Sequence, residues 1–405
     1  MKQIPQATYP GIELIPEQRA RADGELLKET RSYCPSCMRV VDARVYAVDG
    51  LVWLFKQCPD HGPYQGLVEK DVEFYRRVMN PGVAPGLPHF SLIIPITHSC
   101  NLDCSICFLP DRERDNLTRE QIGQVLDDTE IPWIVLSGGE PTLRADLPEL
   151  LQDICKRDKV AGLNSNGIKL ADRDYCRRLA DAGLTSVVLA FNGADDAIYE
   201  RINGRPLLDQ KRQALENLVE AGISVLVSPT IMRGINEDLT PLLKMCNEYW
   251  PDVYQLRMRG AARVGVHGDF DPLVLSELVE LVGRPLGKTL SQLLDEFDPA
   301  RCHHAATQWI LEGRFYVSGA RAGQLHSWDE GELYLHNPQA RDLGGDWVGE
   351  RPMRQRLAPF GFHIWAWPDR FNVDLEEIKS TGVSHLYGER TVMGFYDAIL
   401  RAHEL

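Results

Sequence analysis

The sequence predicts an α/β protein: six β/α units building a parallel sheet, a small metal-knuckle module before them and an α+β cap after them. Three observations predict it. Apolar, strand-like runs alternate with amphipathic helical stretches between Ser91 and Met258, the pattern of a parallel sheet with right-handed crossovers. Upstream, Cys34-Pro35-Ser36-Cys37 and Cys58-Pro59-Asp60-His61 flank a hairpin pattern. Between these parts lies a Pro/Gly linker, Pro81 to Pro88. The expected regions are 1–88, an arm and knuckle module; 89–265, the β/α core; and 266–405, a substrate-capping region.

Residues 1 to about 30 are polar and contain prolines, which reads as a wrapping arm. Val45 to Phe55 alternates around Asp49-Gly50, the signature of a tight hairpin. The flanking half-knuckles offer Cys34, Cys37, Cys58 and His61, the layout of a zinc-ribbon or rubredoxin-like site. Three sulfurs and an imidazole favour zinc over a mononuclear iron, which prefers four thiolates. The competing reading is a redox-active cysteine pair, with His61 capping a turn.

In the core, strands are expected at Ser91–Thr97, Trp133–Ser137, Val160–Asn164, Ser186–Phe191, Ile223–Pro229 and Val253–Met258. Helices are expected at Arg119–Asp128, Leu147–Lys156, Arg173–Ala182, Lys211–Ala221 and Asp238–Glu248. Thr118 and Gln121 form a capping box for the first. Gly183 and Gly222 stop the third and fourth.

Directly after the first strand come Cys100, Cys104 and Cys107. Thiolates favour iron–sulfur clusters, zinc or copper(I). A cubane of four irons usually takes four cysteines, so three with no fourth close behind would leave one iron open to a small molecule. The bland alternative is three thiols packing as small hydrophobes. Asn101, Asp103 and Ser105 make the stretch too polar for that. The second strand ends in Ser137-Gly138-Gly139-Glu140-Pro141. Glycines let backbone approach a ligand closely, and a carboxylate matches an ammonium. The two strand ends are expected to make one site.

On Cys100, Cys104 and Cys107, followed by Gly138-Gly139-Glu140-Pro141-Thr142, the chain resembles the radical S-adenosylmethionine superfamily over roughly residues 90 to 265. That resemblance implies a partial (β/α)6 barrel. It implies a [4Fe–4S] cluster on the three cysteines and S-adenosylmethionine on the open iron, its amino group received by the Gly-Gly-Glu stretch. Cofactor contacts carried over on matching positions are Phe108, Gly138, Gly139, Glu140, Pro141, Asn166, Asn192, Thr230 and Arg257. Two positions depart from the family: Ala190 stands where relatives carry Gln or Ser, and Asn192 where they carry Asp. Arg257 shares a strand face with Gln255 and Arg259 and is read either as a ligand-carboxylate partner or as half of a salt bridge. The N-terminal Cys-Pro-x-Cys and Cys-Pro-x-His-Gly resemble the branch of tetraether lipid synthases and archaeal pterin methylases. The auxiliary-cluster cysteines of the former are missing after Cys107.

In the C-terminal third, helices are expected at Pro272–Val282, Leu290–Phe297 and Thr391–Ala402, and an aromatic strand at Gly361–Pro368. Cys302-His303-His304 is read as a helix start rather than a metal cluster, and Cys155, Cys176 and Cys246 as packing residues. The net charge of −14 disfavours nonspecific nucleic-acid binding. Met1 to Ala20 lacks a signal-peptide core and no run of 18 residues is apolar. With an oxygen-sensitive cluster, this points to a cytoplasmic, non-membrane location. The function expected from the resemblance is reductive cleavage of S-adenosylmethionine to a 5′-deoxyadenosyl radical. That radical takes hydrogen from a small organic or lipid-like substrate, leading to a carbon–carbon bond, C-methylation or rearrangement. A flavodoxin or ferredoxin would supply electrons. The rivals are a non-catalytic iron–sulfur and zinc protein, or a peptide- or nucleotide-modifying radical enzyme.

Overall fold

The computed structural model describes residues 6–37, 39–76, 91–107, 116–249, 252–263, 270–285, 289–292, 307–308, 315–321, 324–329, 361–365 and 371–374. Phe108, Cys302-His303-His304, the helix at Thr391–Ala402 and most of that at Leu290–Phe297 lie outside them.

The N-terminal module begins with α1 (Glu17–Asp23) and continues as a four-stranded antiparallel sheet in sequence order. Its strands are β1 (Glu25–Tyr33), β2 (Val40–Val48), β3 (Leu51–Cys58) and β4 (Gly62–Glu69). The expected hairpin is present: Val48 pairs with Leu51 across Asp49 and Gly50, at φ 51° and 79°. The polar arm is shorter than expected, because residues from Glu25 onward form β1. This is an edge strand whose polar side chains face solvent, so its composition hid it. The remaining arm wraps: Ala7, Tyr9, Ile15 and Ala20 are buried. The Tyr9 ring stands edge-on to Trp53 at 5.7 Å, and its hydroxyl accepts from Leu67 N at 2.8 Å. A short turn, α2 (Val72–Phe74), capped by Asp71, leads away.

The core sheet holds β5 (Ser91–Thr97), β6 (Trp133–Gly138), β7 (Val160–Ser165), β8 (Leu184–Ala190), β9 (Ser224–Ser228), β10 (Thr230–Ile231) and β11 (Val253–Gly260). Neighbours β5 to β9 and β9 to β11 pair in parallel. The expected fifth strand is split at Pro229, which brings no N–H to a ladder; β10 shifts to pair with β11 alone. Helices α3 (Arg119–Asp128), α4 (Leu147–Cys155), α5 (Arg173–Asp181), α6 (Asp196–Asn203), α7 (Leu208–Glu220) and α8 (Thr240–Glu248) lie between strands. The Thr118–Gln121 capping box is formed in both directions, at 3.1 and 2.9 Å. Helix α8 begins after Asp238, whose side chain instead accepts from Thr240 N. Helix α6 was not expected. Asp195 caps it and Gly204, left-handed at φ 79°, ends it. One face of each strand packs on the helices in a single core, as with Leu136, Leu163, Leu189 and Val227. By alternation the other face, with Ser137, Asn164, Ala190, Ser228, Arg257 and Arg259, turns inward.

Beyond α9 (Leu275–Gly283), described residues add β12 (Thr307–Gln308), β13 (Phe315–Arg321), β14 (Gln324–Asp329) and β15 (Gly361–Trp365). Strand β15, the expected aromatic strand, pairs in parallel with β11, and β14, β13 and β12 follow antiparallel. The N-terminal module is clasped to this core by Glu69, a buried carboxylate. It accepts from the N–H of Ser276 at 3.1 Å and from that residue's hydroxyl. Beside it, Glu277 pairs with Lys70 and Arg233 at 2.6 and 2.8 Å.

Candidate cluster and cofactor site

The ends of β5 and β6 are bound to each other. Gly139 N donates to Thr97 O and Glu140 N to Ser99 O, each at 2.7 Å. A Cβ on Gly138 would lie 2.1 Å from Thr97 O, and one on Gly139 2.3 Å from Ser99 O. The two glycines are therefore required by the backbone that leads into Cys100, a reason distinct from ligand access.

Glu140 is turned inward and fully buried. Its Oε1 accepts from Thr142 N (3.1 Å), Thr142 Oγ1 (2.6 Å) and Ser165 Oγ (2.9 Å), and its Oε2 from Asn166 N (2.6 Å). The carboxylate thus fastens the β6 end to the β7 end, and Pro141, also buried, opens the short turn that it caps. Asn166 passes the link on. Its Nδ2 donates to Asn101 Oδ1 at 2.7 Å and reaches Cys100 Sγ at 3.8 Å.

Helix α6 floors the cysteine loop. Leu102 packs with Tyr199 and Leu207, against which Cys100 and Cys104 are half-buried. Ile202 O accepts from Ser105 N at 2.9 Å. Asn203 Nδ2 donates to Cys104 Sγ at 3.0 Å. Asn192 and Thr230 lie behind this contact, both buried. Asn192 Nδ2 donates to Asn203 Oδ1 at 3.4 Å, and its Oδ1 accepts from Thr230 N at 3.0 Å. Asn236 closes the knot by donating to Asn192 O and Thr230 O. These side chains shape the site from below. Thr230 Oγ1 also accepts from Arg259 Nε at 3.0 Å.

Two cations look onto the loop. Burial pushes the Arg259 guanidinium down to about 10, with the field of Cys107 opposing it. Burial likewise lowers the Lys211 ammonium to about 8, against the fields of Cys104, Glu140 and Cys100. Burial raises the Cys104 thiol, and the hydrogen bond from Asn203 counters it. Arg257 was singled out from sequence; here its carbonyl accepts from Ser228 Oγ at 3.1 Å. Lys211 and Asn203 were missed. Lys211 had a signal: with Leu215 and Leu218 it falls at i, i+4 and i+7 on the apolar stripe of a helix.

The N-terminal knuckle converges as expected. Donor atoms of Cys34, Cys37, Cys58 and His61 lie within 4.8 Å of one another. His61 Nδ1 is 3.5 Å from Cys58 Sγ, and Cys37 Sγ is 3.8 Å from it. Burial raises the Cys34 thiol. At Cys58 burial acts the same way, but the bond with His61 and backbone N–H groups bring it below its ordinary value. Two half-buried and two buried donors of this kind suit a structural zinc.

Residues 26–70 match the HMPTM N-terminal zinc ribbon domain, and residues 94–246 match the radical SAM superfamily. The chain carries a radical SAM domain. Curated relatives include the 7,8-dihydro-6-hydroxymethylpterin dimethyltransferase of Methanocaldococcus jannaschii, 31% identical over 246 residues, covering 52% of this chain and 48% of that protein. The probable GTP 3',8-cyclase of Methanococcus aeolicus is 35% identical over 170 residues, covering 38% and 56%. The chain spans about half the length of these relatives. Among solved structures, Streptococcus suis SuiB bound to S-adenosylmethionine matches at TM-score 0.43 and 20% identity, over 48% of this chain and 46% of that one.

Radical SAM domains bind a [4Fe–4S] cluster and S-adenosylmethionine, and this domain has a donor set that fits. Cys100 and Cys107 both act electrostatically on Cys104. Yet among the described residues only the N-terminal knuckle converges tightly enough for a single ion. Cys100, Cys104 and Cys107 are half-buried on one loop, a thiolate set of the kind iron–sulfur clusters take. No helix among the described residues is long and apolar enough to cross a membrane.

Proposed function

We propose that Cys100, Cys104 and Cys107 hold a [4Fe–4S] cluster and that the chain is a radical SAM enzyme acting at carbon on a small heterocycle of the pterin kind. When bound and reduced, the cluster supplies the electron that splits S-adenosylmethionine into methionine and a hydrogen-abstracting 5′-deoxyadenosyl radical. The observation carrying this reading is the cysteine loop itself, hydrogen-bonded through Thr97 and Ser99 to the Gly139–Glu140 strand end. The Gly138–Gly139 backbone is the part of that end left to meet the nucleotide's amino group, since the Glu140 carboxylate is spent on Thr142, Ser165 and Asn166. Asn166 orients the Cys100 side of the loop, Asn203 the Cys104 side.

The substrate reading rests on the zinc ribbon match and the pterin dimethyltransferase relative together. It favours C-methylation among the reactions open to the superfamily. The inward face, with the Ser137–Asn164 hydrogen bond at 3.1 Å and two arginines, suits a ring with polar edges better than a lipid chain. The cyclase relatives make a purine nucleotide the second reading. A low-potential flavodoxin or ferredoxin in a reducing cytoplasm would deliver the electron.

The test is anaerobic reconstitution with iron and sulfide, then reduction by dithionite with S-adenosylmethionine. Release of 5′-deoxyadenosine that disappears in Cys104→Ala is expected. A reduced 6-hydroxymethylpterin, offered with cell extract as the source of one-carbon donors, should gain methyl mass while GTP stays unconverted. No 5′-deoxyadenosine from a fully loaded protein removes the enzyme reading; conversion of GTP alone favours the second substrate.

A further inference from the structure

Lys211 stands on the buried side of α7, only 1% exposed. Its Nζ donates to Asn166 O, just past β7, and to Ala190 O, the last residue of β8, the latter at 2.8 Å. The ammonium also lies 5.8 Å from the centre of the Tyr199 ring, the floor on which Leu102 rests. It is thus locked behind the cysteine loop by two strand ends and a helix.

Two carbonyls do not require a cation, because any neutral N–H donor satisfies them. Holding a charge there is unfavourable, and burial drives the group toward its neutral form. A buried cation normally has an anion to answer it. The negative groups it feels are Cys104, Glu140 and Cys100, in that order. Glu140 accepts hydrogen bonds from four other donors. Those donors are neutral, so Glu140 answers part of the charge and the sulfur loop, with Cys104 foremost, answers the rest. Each ligating thiolate brings one negative charge, and one-electron reduction of a cluster there adds another.

We propose that Lys211 is a positioning residue whose fixed charge, held behind the cysteine loop by the carbonyls of Asn166 and Ala190, favours the reduced over the oxidised cluster and so sets its reduction potential. This rests on the assignment of Cys100, Cys104 and Cys107 as cluster ligands. The electron comes from an external one-electron donor, and no bond at Lys211 is made or broken. The Ala190 position gains a meaning: the residue there departs from the family in its side chain, while its carbonyl anchors the cation.

The test compares the full-length wild type with Lys211→Gln, Lys211→Met and Lys211→Arg, reconstituted anaerobically. Each is titrated with dithionite and mediators, and the reduced cluster is followed by electron paramagnetic resonance. Iron content and circular dichroism report loading and folding. Lys211→Gln keeps donors for both carbonyls and removes the charge. Both neutral variants should show about tenfold less reduced cluster at a fixed poise, a midpoint more negative by about 59 mV for one electron, while Lys211→Arg stays near wild type. Loaded Lys211→Gln with a wild-type midpoint overturns the inference. So does a shift in Lys211→Met alone, which would mean that the hydrogen bonds act and the charge does not. If Lys211→Met fails to fold, Lys211→Gln decides. A wild-type chain that assembles no cluster overturns the ligand assignment as well, a result distinct from loaded variants with unmoved potentials.

Discussion

Asn203 donates from Nδ2 to the sulfur of Cys104 at 3.0 Å, across 99 residues of chain. The contact exists because α6 runs beneath the cysteine loop and ends at Gly204, leaving Asn203 as its last residue. Asn192 holds the same side chain from behind, its Nδ2 donating to Asn203 Oδ1. One amide therefore joins the loop after β5 to the segment after β8, and Asn192 passes the link on to Thr230 at the start of β10.

Removing that amide should weaken the cluster and leave the fold intact. Asn203→Leu keeps the branching of the side chain and deletes the donor to a thiolate. Outer contacts of this kind are worth about 10- to 100-fold in metal affinity. Faster loss of iron to a chelator, by about that factor, is expected in the variant, with an unchanged far-ultraviolet spectrum. Equal rates for the two proteins would contradict the role given to Asn203.

Gly139→Ala should be far more damaging than Gly204→Ala. The first places a methyl group 2.3 Å from Ser99 O and 2.6 Å from His98 O, backbone atoms that cannot rotate away. The β5 and β6 ends would have to part, carrying Cys100 with them. At Gly204 nothing lies within 4 Å, and only the left-handed φ of 79° is strained, at a cost of about 1–2 kcal/mol. Thermal midpoints and iron content of the two variants check this: a small loss of stability with full iron for Gly204→Ala, poor iron loading for Gly139→Ala.

Much of this arrangement was legible in the chain, for reasons that are physical. Strands buried on one face and helices with apolar stripes announce themselves, and the Thr118–Gln121 box and Asp49-Gly50 turn are local in sequence. The three cysteines and the knuckle were legible because metal chemistry fixes residue type and spacing. Side-chain direction was not. Glu140 could be placed at a strand end, yet nothing local says that Ser165 and Asn166 will claim its carboxylate. Helix α6 spans only Asp196–Asn203 and carries Glu200 and Arg201, too short and polar for periodicity to show. Strand β1 was hidden likewise, since half of an edge strand is wet.

Zinc should be required for the N-terminal sheet. Its ligands come from the β1–β2 turn and the β3–β4 turn, with Cys34 and Cys58 buried. Without the ion these donors lose their partner, and structural zinc supplies about 10 kcal/mol or more of folding energy in small peptides. Elemental analysis should find zinc in the purified chain, reduced in Cys37→Ser. Chelation should make residues 25–69 susceptible to proteolysis and lower the thermal midpoint. A protease-resistant module free of metal would refute the structural role.

The clasp between that module and the core should loosen as pH rises. Burial lifts the Glu69 carboxyl from 4.5 to about 7, with hydrogen bonds from Ser276 and Lys70 opposing. Between those values the folded state keeps a proton that the unfolded chain has released. The contribution is therefore complete below about pH 4.5 and lost as pH climbs through about 7, with a slope of at most about 1.4 kcal/mol per pH unit. Neighbouring Glu277 behaves oppositely. Burial works against its charge, but the bonds from Arg233 and Lys70 hold it below its usual value, so its contribution is lost only on acidification. The two are separated by Glu69→Gln, which keeps the shape and cannot ionise. Denaturant unfolding from pH 5 to pH 8 should show stability falling more steeply in wild type than in the variant. Parallel curves would mean that Glu69 is already ionised at pH 5.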